Sequence, residues 1–572
     1  MKEKWTTLKH NGILFPKPYE YREYKVLVNK KEYTLPPLAE EMAYSWAAKL
    51  ETPYIEDKTF QKNFWIDFKE QLPNELKNTK FPDDWDLWPI HRDIQKRKEE
   101  KKAVPKEVKE QEKKDRDALK AIYGKAVLDG IEVDLGNYIV EPAGIFMGRG
   151  EHPKRGRWKV QAQPEDITIN ISKTETPPPP PPGHSWKLVT ENKGAYYAAM
   201  WIEPLTGVQK KILFAANSFV KQNSDKKKFE HAITLANNFD KVSDFLQKKL
   251  NSEDKLTREI ATVCELIRLL SIRVGDEKDL DSCADTVGAS SLRPEHLKID
   301  GKKVTFDFLG KDSVRYHSVT EMSDIMIKNL KEFSEGKKKN EGMFPHVTSA
   351  EVRDFLNLVI PGLSAKQFRT ATGSTLLAEA LKSKTIDPSL KEIRKLEVFT
   401  NANLEVALKL NHQSAVSEAY DNSLEKMKNS LKAMKEEYKS LKTSISSDIK
   451  QLEEQRDSNI EYFKQKRTGD KLKESVRRAK ESCKKDSEKL QNKLEKMKEK
   501  IDILQTKVEM KEKTRGCSLG TSKANYSDPR IPISWCKDNK VDIKRIYPET
   551  MQKKFAWALD VDADFYKKYP KV

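Results

Sequence analysis

The sequence predicts an α+β multidomain protein: a mixed α/β first part, a mainly helical middle, an antiparallel coiled coil and a small helical C-terminal domain. Three observations lead there. The chain has 572 residues, and single hydrophobic cores rarely grow beyond about 250–300 residues. Hydrophobic residues make up 37% and charged residues 34%, with a mean hydropathy of −0.77, a balance that suits folded domains joined to long solvated helices. The hydrophobic spacing also changes along the chain, from aromatic-rich alternation to steps of three and four.

The elements follow in order. Residues 16 to 103 mix aromatic clusters with proline, as in FPKPYEYREYKV and DDWDLWPIHRD. The first of these alternates as strands do, and PPLAEEMAYSWAAKL reads as a helix begun just after its prolines. RDIQKRKEEKKAVPKEVKEQEKKDRDALKAIYG reads as a charge-dense helical connector, or simply a solvated face. A glycine-rich basic loop follows, GIFMGRGEHPKRGRWK, and then PEDITINIS alternates like a strand. The six prolines Pro177–Pro182 must be extended and stiff, so a boundary is expected there.

From Ser185 to Gln222, SWKLVTEN, AYYAAMWIE and KKILFAANS read as a short antiparallel sheet. Helices dominate afterwards, interrupted by the strand pair HLKID-GKK-VTFDFLG, and 351–415 is again helical. Over 418–510, Leu424, Met427, Leu431, Met434, Tyr438 and Leu441 recur at steps of three and four. After the turn Arg467–Asp470, Leu490, Leu494, Met497, Ile501, Leu504 and Val508 do the same. This is the pattern of an antiparallel coiled coil; a dimerisation rod is the alternative, but the midway turn favours a hairpin within one chain. The last segment, 513–572, holds Ile531, Trp535, Ile546, Phe555 and Trp557, enough for a small helical cap but hardly for an independent core.

Lys and Arg outnumber Asp and Glu by 107 to 89, a net charge of +18, which points to a polyanionic partner, nucleic acid rather than membrane. The five cysteines are scattered without CxxC spacing, arguing against a zinc module or a disulfide framework and for a reducing compartment. No stretch approaches the roughly 20 apolar residues of a membrane helix and no signal peptide opens the chain, so an intracellular, soluble protein is expected. No GxxxxGK[ST] loop offers a seat for ATP, and no HExxH or His/Cys cluster suggests a metal.

What stands out is a series of short segments, SIRVGDEK, ADTVGASSLR, DFLGKDSVRY, AKQFRT, LNHQ and LGTSKANYSDPRI, each with an Arg, Lys, His or Tyr at a turn or helix start. In this order the set resembles the eukaryotic type IB DNA topoisomerases, whose motifs read RxGNEK, ADTVG, FLGKDSxRY, KxFRT, NHQ and GTSKxNYxDPRI. GRGEHPKRG is similar to the family's GRG-x-HPK loop, and KFAWALD to its C-terminal domain. The resemblance covers essentially the whole chain.

The resemblance implies that Tyr526 is the nucleophile, with Arg273, Lys311, Arg369 and His412 completing the catalytic set and Lys311 as general acid. Each type suits its role. A phenol has a pKa near about 10 and attacks phosphorus only where cations favour its ionised form. Guanidiniums fork onto the non-bridging oxygens of the pentacoordinate phosphorus, and a histidine donates one more hydrogen bond. A deoxyribose 5′-hydroxyl leaves poorly unless protonated, a task for lysine. Taken singly, each has a blander reading: a solvated arginine, a packed histidine, one tyrosine among 18.

The resemblance further implies DNA-binding roles for Arg149, His152, Lys154, Asp312, Arg315, Lys366, Thr370 and Asn525. Asp312 and Asn525 would border the pocket for camptothecin-type poisons. Double-stranded DNA is the implied partner, bound by a monomer clamped around it, with no membrane, no metal, no cofactor, no ATP and no requirement for divalent cations. Implied subdomains are 1–15 with 104–183 (core subdomain I), 16–103 (a cap, subdomain II), 184–415 (catalytic subdomain III, of the tyrosine recombinase and topoisomerase IB fold), 416–512 (coiled-coil linker) and 513–572 (the domain with the tyrosine).

Departures from the motifs are Met147 where the family has Arg, Asp276 where Asn is commoner, FRTATGS for FRTYNAS and NHQSAV for NHQRAP. None touches the five catalytic positions. The family's nuclear members carry a long charged N-terminal tail, whereas this sequence starts almost at the core. That leaves a trimmed nuclear protein or a compact form encoded by a large DNA virus and sited in the virion or viral factory. Two rival readings remain: a tyrosine recombinase, which usually shows HxxR where this chain has Lys366-Gln-Phe-Arg369, and a non-enzymatic DNA-binding protein.

Overall fold

The computed structural model describes residues 3–275 and 283–571. The fold is α+β, about 54% helical with several small sheets. The chain divides into two compact units, Met1–Ala371 with Tyr547–Asp560 and Thr372–Ile546 with Val561–Val572.

Among the described residues the sheets all lie in the first unit, which also holds three hydrophobic cores. One core lies within 26–158 and is built on aromatic packing. The expected helix is Pro37–Ala47, which begins on the second of its two prolines instead of just after both. The helix Lys58–Glu70 is capped by Asp57, whose carboxylate accepts from the amides of Thr59 and Phe60. Phe60, Phe64 and Phe68, spaced by four, bury one face completely, with Trp46 against the first two. Each such ring contributes about 1.5–3 kcal/mol through burial. The charge-dense connector is two helices, Trp88–Ala103 and Lys106–Tyr123, parted at Val104-Pro105 because proline cannot continue a helix. The second buries no residue, the solvated face that its composition suggests.

The second core gathers Trp5, Leu8, Ile169, Ile171, Trp201 and Phe214. Its four-stranded sheet has the order Leu188–Thr190, Thr168–Asn170, Tyr197–Ile202, Gln209–Leu213. This sheet is mixed, not antiparallel as expected, since Leu188–Thr190 runs parallel to Thr168–Asn170. A parallel return needs a long crossover, and the stiff Pro177–Pro182 run lies on that path. Sheet and core thus draw on both sides of the proline run.

The third core surrounds the helix Lys255–Leu270 and the sheet Leu297–Asp300, Lys303–Leu309, Arg315–Glu321. The third strand was not legible as one, because only Tyr316 of its seven residues is buried.

In the second unit, the helices Glu418–Lys466 and Gly469–Lys513 form the antiparallel pair predicted from the steps of three and four, turning where expected. Leu424 and Val508 of the predicted seam are buried, and Ser417 caps the first helix through the Tyr420 amide. The last sixty residues are shared out: Tyr547–Asp560 belongs to the first unit, where Trp557 stacks on Phe229 at 6.3 Å. Among the described residues no helix is long and apolar enough to cross a membrane.

Candidate active site

In the first unit the cations are set on two turns. The helix Lys255–Leu270 ends at Ser271, which adopts a left-handed conformation at φ 53° and redirects the chain two residues before the exposed Arg273. The Ser271 carbonyl accepts a hydrogen bond from the Arg369 guanidinium. Arg369 is 7% exposed and lies on the helix Ala365–Lys382. The two arginines are therefore tied to one turn.

Lys311 is exposed on the turn between the strands Lys303–Leu309 and Arg315–Glu321. Asp312 and Ser313 after it have φ of 64° and 58°, conformations that cost about 1–3 kcal/mol each and persist only where the surroundings over-determine them. The surroundings do so. Gly310 donates its amide to the Val314 carbonyl at 2.8 Å. Arg149 forms an ion pair with Asp312. Gly150 lies so near that a Cβ there would come within 2.5 Å of the Ser313 Cβ.

The ADTVGAS segment joins the two turns. The Val287 amide donates to Leu309 at 2.7 Å, the Ala289 amide to Arg273 at 2.9 Å and the Ser290 amide to Val274 at 2.7 Å. Arg293 holds Asp285 of the same segment by two bonds, at 3.0 and 2.6 Å. Gly288 packs against Gly275 closely enough that a Cβ would sit 2.5 Å from the Gly275 Cα and 2.7 Å from the Val274 carbonyl carbon. Gly288→Ala must therefore push the Arg273 turn away from the Lys311 hairpin. A shift of about 1 Å in catalytic groups lowers rates by roughly 100-fold, and that loss in strand cleavage is expected with DNA affinity kept, as read by gel assay and fluorescence anisotropy. Sequence reasoning did not single out Ser271, Gly275, Gly288 or Asp285; the one signal that could have found the close backbone approach is the pair of glycines in SIRVGDEK and ADTVGASS. Asp276 lies outside the described residues.

The DNA-binding candidates of this unit differ in setting. His152 packs edge-on against Phe146 at 4.9 Å, and its Nδ1 accepts from the Lys154 amide at 3.1 Å. Burial, with Lys154 and Arg155 beside it, pushes its pKa down and favours the neutral ring. Lys154 donates to the Leu205 carbonyl at 2.8 Å. Arg315 forks onto Asp307, which it pulls down to about 2, so much of its charge is answered within the hairpin. Thr370 is fully buried with its hydroxyl on the Lys366 carbonyl at 3.3 Å. Met147 packs on the aromatic core instead of presenting a cation.

Lys366 has company that the sequence did not announce. Lys221, Lys228 and Lys554 gather around Asp225, with Lys228 at 3.2 Å and Lys554 at 3.6 Å from it, and Lys366 is near enough to act on Lys221 and Lys228. Burial lowers the pKa of both Lys221 and Lys228, and the neighbouring ammonium groups add to it. One carboxylate among four ammonium groups is an anion-attracting surface.

The second unit brings the other two candidates together. After the helix Glu392–Lys409, Asn411 turns left-handed at φ 53° and the His412 amide closes on the Ala407 carbonyl at 2.8 Å. The His412 ring lies 4.9 Å from the Tyr526 ring at 35°. Its Nδ1 is 2.7 Å from the Ser522 hydroxyl, and its carbonyl accepts from the Ser518 amide at 2.7 Å. Both rings are buried, His412 at 7% and Tyr526 at 4% exposure. Ser522, in GTSKANY, is a partner that sequence reasoning passed over.

Tyr526 ends the short helix Leu519–Asn525, and Asn525 before it is exposed. The hydroxyl of Ser374, fully buried, donates to the Tyr526 carbonyl at 3.2 Å and accepts from the Asp528 amide at 2.9 Å. Asp528, also fully buried, is paired with Arg530 at 2.7 Å. Lys523 donates to the Ile546 carbonyl at 3.1 Å, and burial pushes its pKa down. Among the described residues no group of three or more His, Cys, Asp or Glu side chains could hold a metal ion.

Comparison with known proteins agrees along the chain. Residues 3–214 match the family described as eukaryotic DNA topoisomerase I, DNA binding fragment. Residues 217–445 match eukaryotic DNA topoisomerase I, catalytic core, and 498–567 match the C-terminal topoisomerase domain. DNA topoisomerase 1 beta of Arabidopsis thaliana is 36% identical over 98% of this chain, which spans 59% of that relative's length. Human DNA topoisomerase 1 is 33% identical over 99% of the chain and 72% of its own length. The mitochondrial DNA topoisomerase I of Rattus norvegicus is 32% identical over 97% of the chain and 91% of its own length. The chain therefore belongs to the eukaryotic DNA topoisomerase I family.

Proposed function

We propose that the protein is a type IB DNA topoisomerase, relaxing positive and negative supercoils through transient cleavage of one strand, rotation and religation. The observation that carries this reading is the buried Tyr526 ring beside His412, whose Nδ1 is engaged by Ser522. With Nδ1 so engaged, Nε2 is the nitrogen to address a phosphate oxygen.

In the first step the Tyr526 oxygen attacks phosphorus and its proton passes to solvent. A P–O bond to Tyr526 forms as the bond from phosphorus to the deoxyribose 5′ oxygen breaks. Lys311 gives that leaving oxygen a proton. Arg273, Arg369 and His412 stabilise the extra charge on the non-bridging oxygens while the phosphorus is pentacoordinate. The product, a 3′-phosphotyrosine diester, is close in energy to the diester it replaced, so the reverse attack by the 5′-hydroxyl reseals the strand without ATP. No metal or cofactor enters this sequence.

Double-stranded DNA is the substrate, held by its phosphates in a clamp with subdomains 1–15 and 104–183, 16–103, and 184–415. The coiled coil 416–512 and the domain 513–572 then complete the catalytic set. Arg149, His152, Lys154, Asp312, Arg315, Lys366 and Asn525 line the duplex, and the lysines around Asp225 extend that surface. A monomer suffices, and the nucleus is the compartment the resemblance favours.

The test is relaxation of supercoiled plasmid, of both signs, in EDTA without ATP. Complete relaxation is expected. Recombined plasmid products would favour the tyrosine recombinase instead, and DNA binding without any change in topology would favour the non-enzymatic reading.

A further inference from the structure

We propose that the segment Phe565–Pro570 is a strap that positions the nucleophile from behind, acting through Ser374. This rests on Tyr526 being the nucleophile. The segment is first fastened to the helix Arg530–Asp538. The Tyr566 amide donates to the Ser534 hydroxyl at 3.1 Å, the Tyr566 hydroxyl donates to Asp538 at 2.9 Å, and the Arg530 guanidinium lies over the Phe565 ring at 4.9 Å.

It then crosses to the helix Ala365–Lys382. The Pro570 carbonyl accepts from the Thr375 hydroxyl at 3.1 Å, and the Tyr569 carbonyl accepts from Lys382 at 2.8 Å. Lys571 adds an ion pair with Glu379 at 3.5 Å. Positions 375, 379 and 382 form one stripe on that helix, so the strap holds a single face.

Tyr569 fills the space behind Ser374. It is 3% exposed, its ring meets Phe565 edge-on at 5.8 Å, and Ser374, Asp528 and Arg530 lie near enough to act on its hydroxyl, which finds no partner of good hydrogen-bond geometry. What it supplies there is therefore ring volume. Ser374 in turn holds both sides of the nucleophile's main chain, through the Tyr526 carbonyl and the Asp528 amide. Gly373 presses on the same point: a Cβ there would stand 3.0 Å from the Tyr526 carbonyl oxygen. The connection runs from strap to helix face to Ser374 to Tyr526. Tyr569, Pro570 and Lys571 lie past residue 567, where the match to the C-terminal topoisomerase domain ends.

The experiment uses the full chain in single-turnover cleavage of a duplex oligonucleotide, well below each variant's melting midpoint, with affinity measured in parallel. Tyr569→Ala leaves a cavity behind Ser374 and is expected to slow cleavage by about tenfold or more, since sub-ångström displacement of a reacting atom is costly. Affinity should stay within about twofold, because no DNA-contacting group is lost. Tyr569→Phe restores the ring and should restore the rate, and Thr375→Val, nearly isosteric, should slow cleavage without unfolding the chain. Wild-type cleavage by both Tyr569→Ala and Thr375→Val would overturn the proposal. So would a loss in Tyr569→Ala matched by equal loss of affinity while Thr375→Val cleaves normally. A Tyr526→Phe arm separates the two claims: cleavage surviving there overturns the nucleophile assignment itself.

Discussion

Tyr526→Phe is expected to abolish relaxation, with strand cleavage falling by about 10⁴-fold or more, since in the proposed mechanism the Tyr526 oxygen forms the phosphodiester intermediate. The substitution is unusually clean in this setting. The ring keeps its packing on His412, and the bonds between Ser374 and the Tyr526–Asp528 segment involve only main-chain atoms of that segment. Folding and DNA affinity should thus be retained, so inactivity would report on the oxygen atom alone. Plasmid relaxation beside a binding titration reads both quantities. Residual relaxation above about 1% of wild type would point to a different nucleophile.

Arg369→Ala carries the second-largest expected effect. Removing one preorganised donor to a developing oxyanion commonly costs about 10²–10³ in rate. Arg369 also donates to the Ser271 carbonyl, which sets the turn before Arg273. Losing that buried, charge-assisted bond costs about 1.5–3 kcal/mol and loosens a second arginine. A drop of about 10³-fold or more in single-turnover cleavage is therefore expected. Arg369→Lys keeps the charge but not the planar fork, and should recover only part of the rate. Full recovery with lysine would reduce the role to a point charge.

Much of the fold was legible because its signals are local. The coiled coil wrote itself as steps of three and four with a turn between, and the helix at Pro36-Pro37 announced its own start. What escaped depends on distant partners. Thr168–Asn170 is wholly buried and central in its sheet, flanked by strands on both sides, one of them parallel and beyond six prolines. Tyr547–Asp560 joins the first unit because Trp557 finds Phe229, more than three hundred residues away. The strand Arg315–Glu321 hides because, apart from the buried Tyr316, its exposed positions alternate with only half-buried ones.

The candidate site divides along the same line. Its charged and nucleophilic residues stand in recognisable motifs, so Arg273, Lys311, Arg369, His412 and Tyr526 could be named from sequence. The residues that aim them could not. Ser271, Ser374 and Ser522 are ordinary serines until the fold sets one carbonyl under a guanidinium and two hydroxyls beside the tyrosine and histidine. Thr370 shows the converse, a motif residue whose side chain the helix packs inward.

The most direct measurement is the chemical identity of the trapped adduct. A duplex nicked so that the 5′-hydroxyl fragment diffuses away should leave the protein joined to DNA, and proteolysis with mass spectrometry then finds the bond. The account requires one modified peptide, spanning SKANYSDPR, with the 3′-phosphate esterified to Tyr526. A 5′-phosphate linkage, or attachment to any other of the 18 tyrosines, would contradict it.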